Sequence, residues 1–181
     1  MSDERDPLTQ WKRSMATVDP AVILLTGARV WPESVNPDHS AHAPHATWIG
    51  TDIEAGDGVE LVADLQTVHT ATDQRFEGVF SPATLEHIER PWTAFYSIGQ
   101  ILKPGGLLFL HTHQTFPLHG YPHDYFRFSR SALETMCRDA GLEVVCSGYD
   151  SPCTITPPPS VTVWNIVAES YLNVCICARK P

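Results

Sequence analysis

Positive charge is scarce in this chain. Lysine and arginine together number 12 against 21 acidic residues, for a net charge of −9, and no basic cluster goes beyond a pair such as Lys12-Arg13. A polyanion is bound by clustered cations that release its counterions. DNA, RNA and anionic membrane surfaces are therefore not expected partners, and a small molecule is. No apolar run approaches the ~20 residues that a membrane-spanning helix requires. The five cysteines show no C-x-x-C and no zinc-ribbon spacing. Their odd number and the absence of a secretory leader predict free thiols in a reducing cytoplasm. Cys175 and Cys177 are two apart on an apparent strand, so both are expected to pack on one face. Neither G-x-G-x-x-G nor a Tyr-x-x-x-Lys pair occurs, which argues against a nicotinamide-dependent dehydrogenase. There is no internal repeat.

What is present describes one globular domain. The 181 residues, 43% hydrophobic and 18% charged, suffice for a core without disulfide or metal staples. Residues 1–20 read as an extension over the core, with a short helix from Leu8 to Val18, and residues 21–181 as the domain proper. Buried strands are predicted at 21–25, 47–51, 59–63, 76–80, 107–110, 142–146 and 172–178. Helices are expected after Pro91, on the spacing of Trp92, Phe95, Ile98 and Leu102, and across Leu133–Ala140. Lys103-Pro-Gly-Gly106 stops the first with a tight turn. The second has Gly141 as its C′ residue and either Ser129 or Ser131 as its cap, the latter in a capping box with Glu134. Prolines 32, 37 and 44 prevent a long helix after the first strand. Strands alternating with helices or loops imply an α/β, Rossmann-like, mainly parallel sheet flanked by helices, its first helix reduced.

Open parallel sheets bind ligands at the carboxyl ends of their strands. Gly27, Asp52, Asp64, Ser81 and His111 close the apolar runs and are the residues to read. A carboxylate at Asp52 can accept both hydroxyls of a ribose, and Asp64 can accept from an exocyclic adenine amine. Gly27 allows close backbone approach. Each has a bland alternative as a loop or cap residue; their order along one chain carries the weight.

Five segments then become specific: residues 51–56 (T-D-I-E-A-G), 62–65 (V-A-D-L), 84–88 (T-L-E-H-I), 101–107 (I-L-K-P-G-G-L) and 119–129 (H-G-Y-P-H-D-Y-F-R-F-S). Together they resemble class I methyltransferases, most closely the type 11 family, over roughly residues 21–181. The resemblance implies S-adenosylmethionine as cofactor, bound by Gly27, Ala28, Asp52, Ile53, Asp64, Leu65 and Ser81. It also implies methyl transfer to oxygen, or less readily nitrogen, of a small polar metabolite such as a sugar or secondary metabolite. The chain departs from the family in its glycine turn, Gly27-Ala-Arg-Val-Trp31 in place of G-x-G, and at Ala83, where relatives place a polar or acidic residue.

The most distinctive feature is the loop after the fifth strand, where His111, His113, His119 and His123 fall within thirteen residues. Methyl transfer to a hydroxyl needs alignment and removal of one proton, and imidazole titrates near neutrality. His113, where relatives carry proline, and His119 are the candidate bases. His111, His123, Asp124, Tyr125 and Arg127 are candidates for the acceptor wall, although Arg127 paired with Asp124 or a carbonyl would instead be a loop lock. His111 and His113 are not expected both to face the donor. Glu86 and His87 read as structural, the first in a helical turn and the second packed or bonded to backbone. No metal site is expected around the loop, because no Cys partner completes a tetrahedral set with its histidines. His39, His42 and His45 read as loop residues between prolines.

Two other readings stay open. The thin glycine turn suits a degenerate methyltransferase fold acting as a binding or partner subunit. With no inserted cap over the acceptor, a homodimer or a different partner would then complete the pocket. A metal-dependent hydrolase built on the histidine loop is the third.

Overall fold

The computed structural model describes residues 5–30, 37–120, 123–160 and 168–181. Trp31, Pro32, Tyr121 and Pro122, which figured in the motifs above, lie outside them. Seven strands form one sheet in the order β3-β2-β1-β4-β5-β7-β6. They are β1 (Val22–Thr26), β2 (Thr47–Asp52), β3 (Leu61–Val62), β4 (Phe76–Pro82), β5 (Leu102–His113), β6 (Glu143–Ile155) and β7 (Ala168–Arg179). β1 pairs in parallel with β2 and β4, as β4 does with β5; β7 runs antiparallel between β5 and β6. The strand order reverses between β1 and β4, so a ligand crevice belongs at the tips Thr26-Gly27 and Ser81-Pro82.

One face of the sheet carries α2 (Val68–Ala71), α3 (Pro91–Ile101) and α4 (Arg130–Asp139). Their apolar sides, including Phe95, Ile98, Leu133 and Cys137, close on Phe76, Val79, Leu108, Leu110 and Ile176. The other face is covered by α1 (Pro7–Met15), which Asp6 caps by accepting from the Thr9 amide. Trp11 and Met15 of α1 are fully buried against Ile23, Phe80, Phe109, Cys175 and Cys177. Both late cysteines thus pack on one face, as their spacing predicts. Between β1 and β2 the helical structure among the described residues is one 3-10 turn, His39–His42. Its imidazoles lie 5.1 and 5.2 Å from the Phe80 ring, while His45 Nε2 bonds the Met15 carbonyl at 3.0 Å.

Several expectations need correction. α1 starts at Pro7 and ends at Met15, short of Val18. The third strand shrinks to two residues because Gly58 takes φ +82° and the 56–60 loop folds back on β2, with the Glu60 amide on the Gly50 carbonyl at 3.0 Å. The helix after Pro91 stops at Ile101, just before Lys103–Gly106, but the fifth strand is longer than predicted, running from Leu102 to His113 with a register shift opposite Phe76 and Gly78. Ser129, not Ser131, caps α4, and Glu134 accepts from the Ser147 hydroxyl instead of closing a box. The two last strands are longer than predicted and form a hairpin ladder reaching Ile155 and Ala168. Finally, His111 and His113, two apart on β5, share a face, because strand side chains alternate with period two.

Candidate active site

Four strand tips meet at the carboxyl edge. Gly27 ends β1 at φ +62°, and a Cβ there would stand 2.6 Å from Thr84 Oγ1, so the turn fits only glycine. Beneath it the hydroxyls of Thr26, Ser81 and Thr84 gather, Thr26 Oγ1 lying 2.8 Å from Ser81 Oγ and 3.2 Å from Thr84 Oγ1. The Ala28 amide donates to the Thr51 carbonyl at 3.1 Å, tying the glycine turn to β2. Asp52 is half-buried; its carboxylate accepts from the Arg29 amide at 3.3 Å and the Glu54 amide at 3.2 Å. A carboxylate has about four acceptor sites, so capacity remains for a diol. Arg29 and Glu54 form an ion pair over the same tip. Ile53 is exposed and Leu65 buried, so of these two only Ile53 has a side chain open to a ligand. Asp64 holds the turn into α2, accepting from the Gln66 amide at 2.8 Å and its side-chain amide at 3.0 Å.

β5 delivers the histidines. Thr112 and His113 end the strand, and Glu86 reaches them from the 3-10 turn Leu85–His87 that follows β4. The turn is set by Ala83, which takes φ +42° and bonds its amide to the His111 carbonyl at 2.8 Å. Glu86 is wholly buried. Its Oε2 accepts from the Thr112 hydroxyl at 2.7 Å; its Oε1 lies 3.0 Å from His113 Nε2 but has no aligned hydrogen-bond donor. Burial alone would raise the Glu86 carboxyl, but His113 and Thr112 outweigh it and leave it below its ordinary value. Burial likewise presses the His113 imidazole down, and the Glu86 carboxylate reverses that, leaving it raised. His113 also stacks on Phe116 at 3.9 Å and contacts Asn173 Oδ1 through Nδ1 at 3.0 Å.

His119 completes the group, its ring 5.2 Å from that of His113 and 4.9 Å from that of His87. Its loop is held by Asp124 and Arg127, which pair through two bonds of 2.5 and 2.7 Å. Arg127 gives its other three N–H groups to the carbonyls of Phe116, Pro117 and Phe126. All five donors are committed, and none is left for an acceptor. The pairing holds the Asp124 carboxyl well below the usual carboxylate range. The expectation that Arg127 lines the acceptor is thus corrected: Asp124 and Arg127 are the lock, and Asp124 Oδ2 also accepts the His119 amide at 3.0 Å.

His87 behaves as expected, its Nδ1 bonded to the His123 carbonyl at 2.7 Å. His123 and Tyr125 present exposed side chains, and His111 is half-buried, 3.9 Å from Asp150 Oδ2, its imidazole lowered chiefly by burial. Glu86 is the residue that sequence reasoning undervalued. The available signal was its place beside Leu85 and near Ile88, apolar residues that pack into the core, since a charge carried into that environment has to be paired. Asn173 and Phe116 left no such trace.

The strand order reverses between β1 and β4, with a carboxylate at the β2 tip, which is where open α/β sheets bind their ligands. A family model described as a methyltransferase domain matches residues 6–147, and the chain belongs to that family, as a class I S-adenosylmethionine-dependent methyltransferase. It is similar to the ubiquinone biosynthesis O-methyltransferase of Nitrosococcus oceani, 35% identical over 86 residues, covering 38% of this chain and 36% of that protein. The chain thus spans about a third of that curated relative. The fold resembles an S-adenosylmethionine-dependent methyltransferase of Archaeoglobus fulgidus, with a TM-score of 0.63 and 14% identity over 96% of this chain and 92% of the other. It also resembles the 1,6-didemethyltoxoflavin N1-methyltransferase of Burkholderia thailandensis, solved with its substrate and S-adenosylhomocysteine. There the TM-score is 0.62 with 14% identity, covering 98% and 79% of the two chains. No helix among the described residues is long and apolar enough to cross a membrane.

The strand tips fit the donor of this class. The Gly27 turn packs so closely on Thr84 that only glycine fits, which keeps the tip free of a Cβ, and Asp52 keeps acceptor capacity for the ribose. S-adenosylmethionine, when bound, supplies an electrophilic methyl group on a sulfonium.

Proposed function

We propose that this enzyme methylates an oxygen of a small polar metabolite, with His113 as the base that takes the hydroxyl proton. The observation that carries the reading is the buried Glu86–His113 pair at the tip of β5, beside the donor strands. A carboxylate 3.0 Å from an imidazole strengthens it as a proton acceptor and fixes its orientation. Asp52 receives the donor's ribose hydroxyls, Gly27 and Ala28 admit its backbone-facing side, Ile53 and Asp64 flank the adenine with Leu65 packed beneath them, and Ser81 lines its far end. His119 stands beside His113 as an auxiliary base. His111, His123 and Tyr125 form the acceptor wall, while Asp124 and Arg127 act only by holding that wall in place. The curated relative is an O-methyltransferase, which supports oxygen over nitrogen. The negative charge supports a small acceptor rather than nucleic acid, and the protein acts in the cytoplasm.

The test is a panel of hydroxylated metabolites with labelled donor, on wild type, His113→Gln and Asp52→Ala. Turnover lost in His113→Gln with donor binding intact is the expected result. Equal turnover in His113→Gln would refute the base assignment. A second reading, a partner subunit of a larger enzyme, is favoured by the thin glycine turn, in which Gly27 stands alone before Ala28 and Arg29. Failure of wild type to bind S-adenosylhomocysteine, together with turnover only in the presence of a second chain, would select it.

A further inference from the structure

The carboxylate of Glu86 presents an oxygen that the fold leaves unanswered. Its side chain is wholly buried, and Oε1 has no aligned donor. Leaving a charged oxygen in that condition costs free energy unless something else binds there. Around it stand His113 and His119, and one ligand atom from each of the three residues lies within 4.8 Å of the others. In a tetrahedral zinc site with bonds of about 2.0–2.1 Å, ligand atoms are roughly 3.3 Å apart. Closing in by about 1.5 Å at most would form the site, and His119 belongs to a loop and is half-buried.

The remaining atoms of these groups are already held as an outer shell would hold them. The Thr112 hydroxyl occupies Oε2 of Glu86 at 2.7 Å, leaving Oε1 outward. In the neutral imidazole, Asn173 Oδ1 favours the tautomer of His113 protonated at Nδ1, which turns the Nε2 lone pair towards Glu86. The Pro117 carbonyl does the same for Nδ1 of His119 at 3.2 Å. Anchoring the far nitrogen of each imidazole is how metal-binding histidines are oriented. We infer that Glu86, His113 and His119 form a binding site for a divalent transition-metal ion, of the zinc, cobalt or manganese class. Two imidazoles and one carboxylate suit that class and leave coordination positions open. Spacing within the histidine loop does not reveal this set, because Glu86 comes from another turn.

The inference goes beyond the reading above and, where the ion is bound, replaces one part of it, the base role of His113. An open position beside the donor tips would take the acceptor's oxygen, whose proton then leaves to solvent because the ion occupies His113 Nε2. The base role of His113 belongs to the metal-free enzyme.

The experiment titrates chelator-treated full-length protein with Zn²⁺ by calorimetry and with Co²⁺ by visible absorption. One ion per chain and a four- or five-coordinate cobalt spectrum are expected. Asn173→Ala should weaken binding roughly 10–100-fold, and Glu86→Gln, His113→Gln and His119→Ala more. Because His119 lies in a loop, its variant stays folded even if the buried Glu86 variant does not. The double variant His39→Ala/His42→Ala removes a second imidazole pair, 6.0 Å apart, and should leave uptake unchanged. No saturable uptake, or uptake lost with His39 and His42 but not with His119, overturns the inference. These readouts need no methyl transfer, so an inactive enzyme that binds metal refutes only the functional reading.

Discussion

Gly50 offers a direct way to ask whether the donor cradle is built as described. It lies in β2, and a Cβ placed on it would sit 1.9 Å from the Gly58 carbonyl oxygen and 2.8 Å from the Ala28 Cβ. Ordinary contact begins near 3.4 Å, so Gly50→Ala must push the 56–60 loop away by about 1.5 Å. Both obstacles are backbone or a methyl on backbone, so neither can rotate aside. The displaced loop would strain three bonds: the Glu60 amide to the Gly50 carbonyl, the Gly50 amide to Glu60 Oε2, and the Val30 amide to the Asp57 carbonyl. At about 1 kcal/mol each the loss is near 3 kcal/mol, the upper part of the range for overpacked sites. For a chain of this size that lowers Tm by roughly 6–12 °C. The same shift drags Ala28 and the glycine turn, so affinity for S-adenosylhomocysteine falls with it. Thermal unfolding and calorimetry read the two effects. Gly148→Ala is the control, because its Cβ would meet nothing nearer than Pro7 Cδ at 3.8 Å. A Gly50→Ala protein as stable as wild type, binding donor product equally well, would refute the reasoning.

Asp52→Ala removes the ribose acceptor and should weaken S-adenosylhomocysteine binding by about 2–4 kcal/mol, or roughly 30- to 1,000-fold, by calorimetry. Arg127→Lys replaces a five-donor fork with three donors on a point charge and should cost about 1–3 kcal/mol while speeding proteolysis within residues 114–128. Trp11→Ala empties a fully buried site and should cost about 3–5 kcal/mol in denaturant unfolding. Burial pushes the Cys137, Cys175 and Cys177 thiols up to about 12. At pH 8 roughly one such thiol in 10,000 is ionised, so a disulfide reagent should find none of the three until the protein is denatured.

The strands were legible because parallel sheets bury both faces and leave apolar runs such as Val22–Leu25 and Leu107–Leu110. Their ends were less so. Gly58 and Glu60 cut β3 to two residues through bonds to β2 that no local pattern announces. Asp52, Gly27 and Ser81 were readable as strand-terminal residues, since the architecture assigns ligands to those tips. Glu86 was harder. A 3-10 turn carries it to His113, so the meeting of residues 86, 113 and 119 depends on strand order rather than spacing. Arg127 was readable only as one of two alternatives, and the count of its hydrogen bonds separates them.

The two faces of the sheet are protected unequally. Among the described residues, three helices close one, while the other carries the nine-residue helix α1 and a pair of imidazoles. Detaching that short segment would uncover Phe80 and Phe109 together, so solubility hinges on residues far from the chemistry. Fusion partners and truncations are therefore better tolerated elsewhere than at the start of α1.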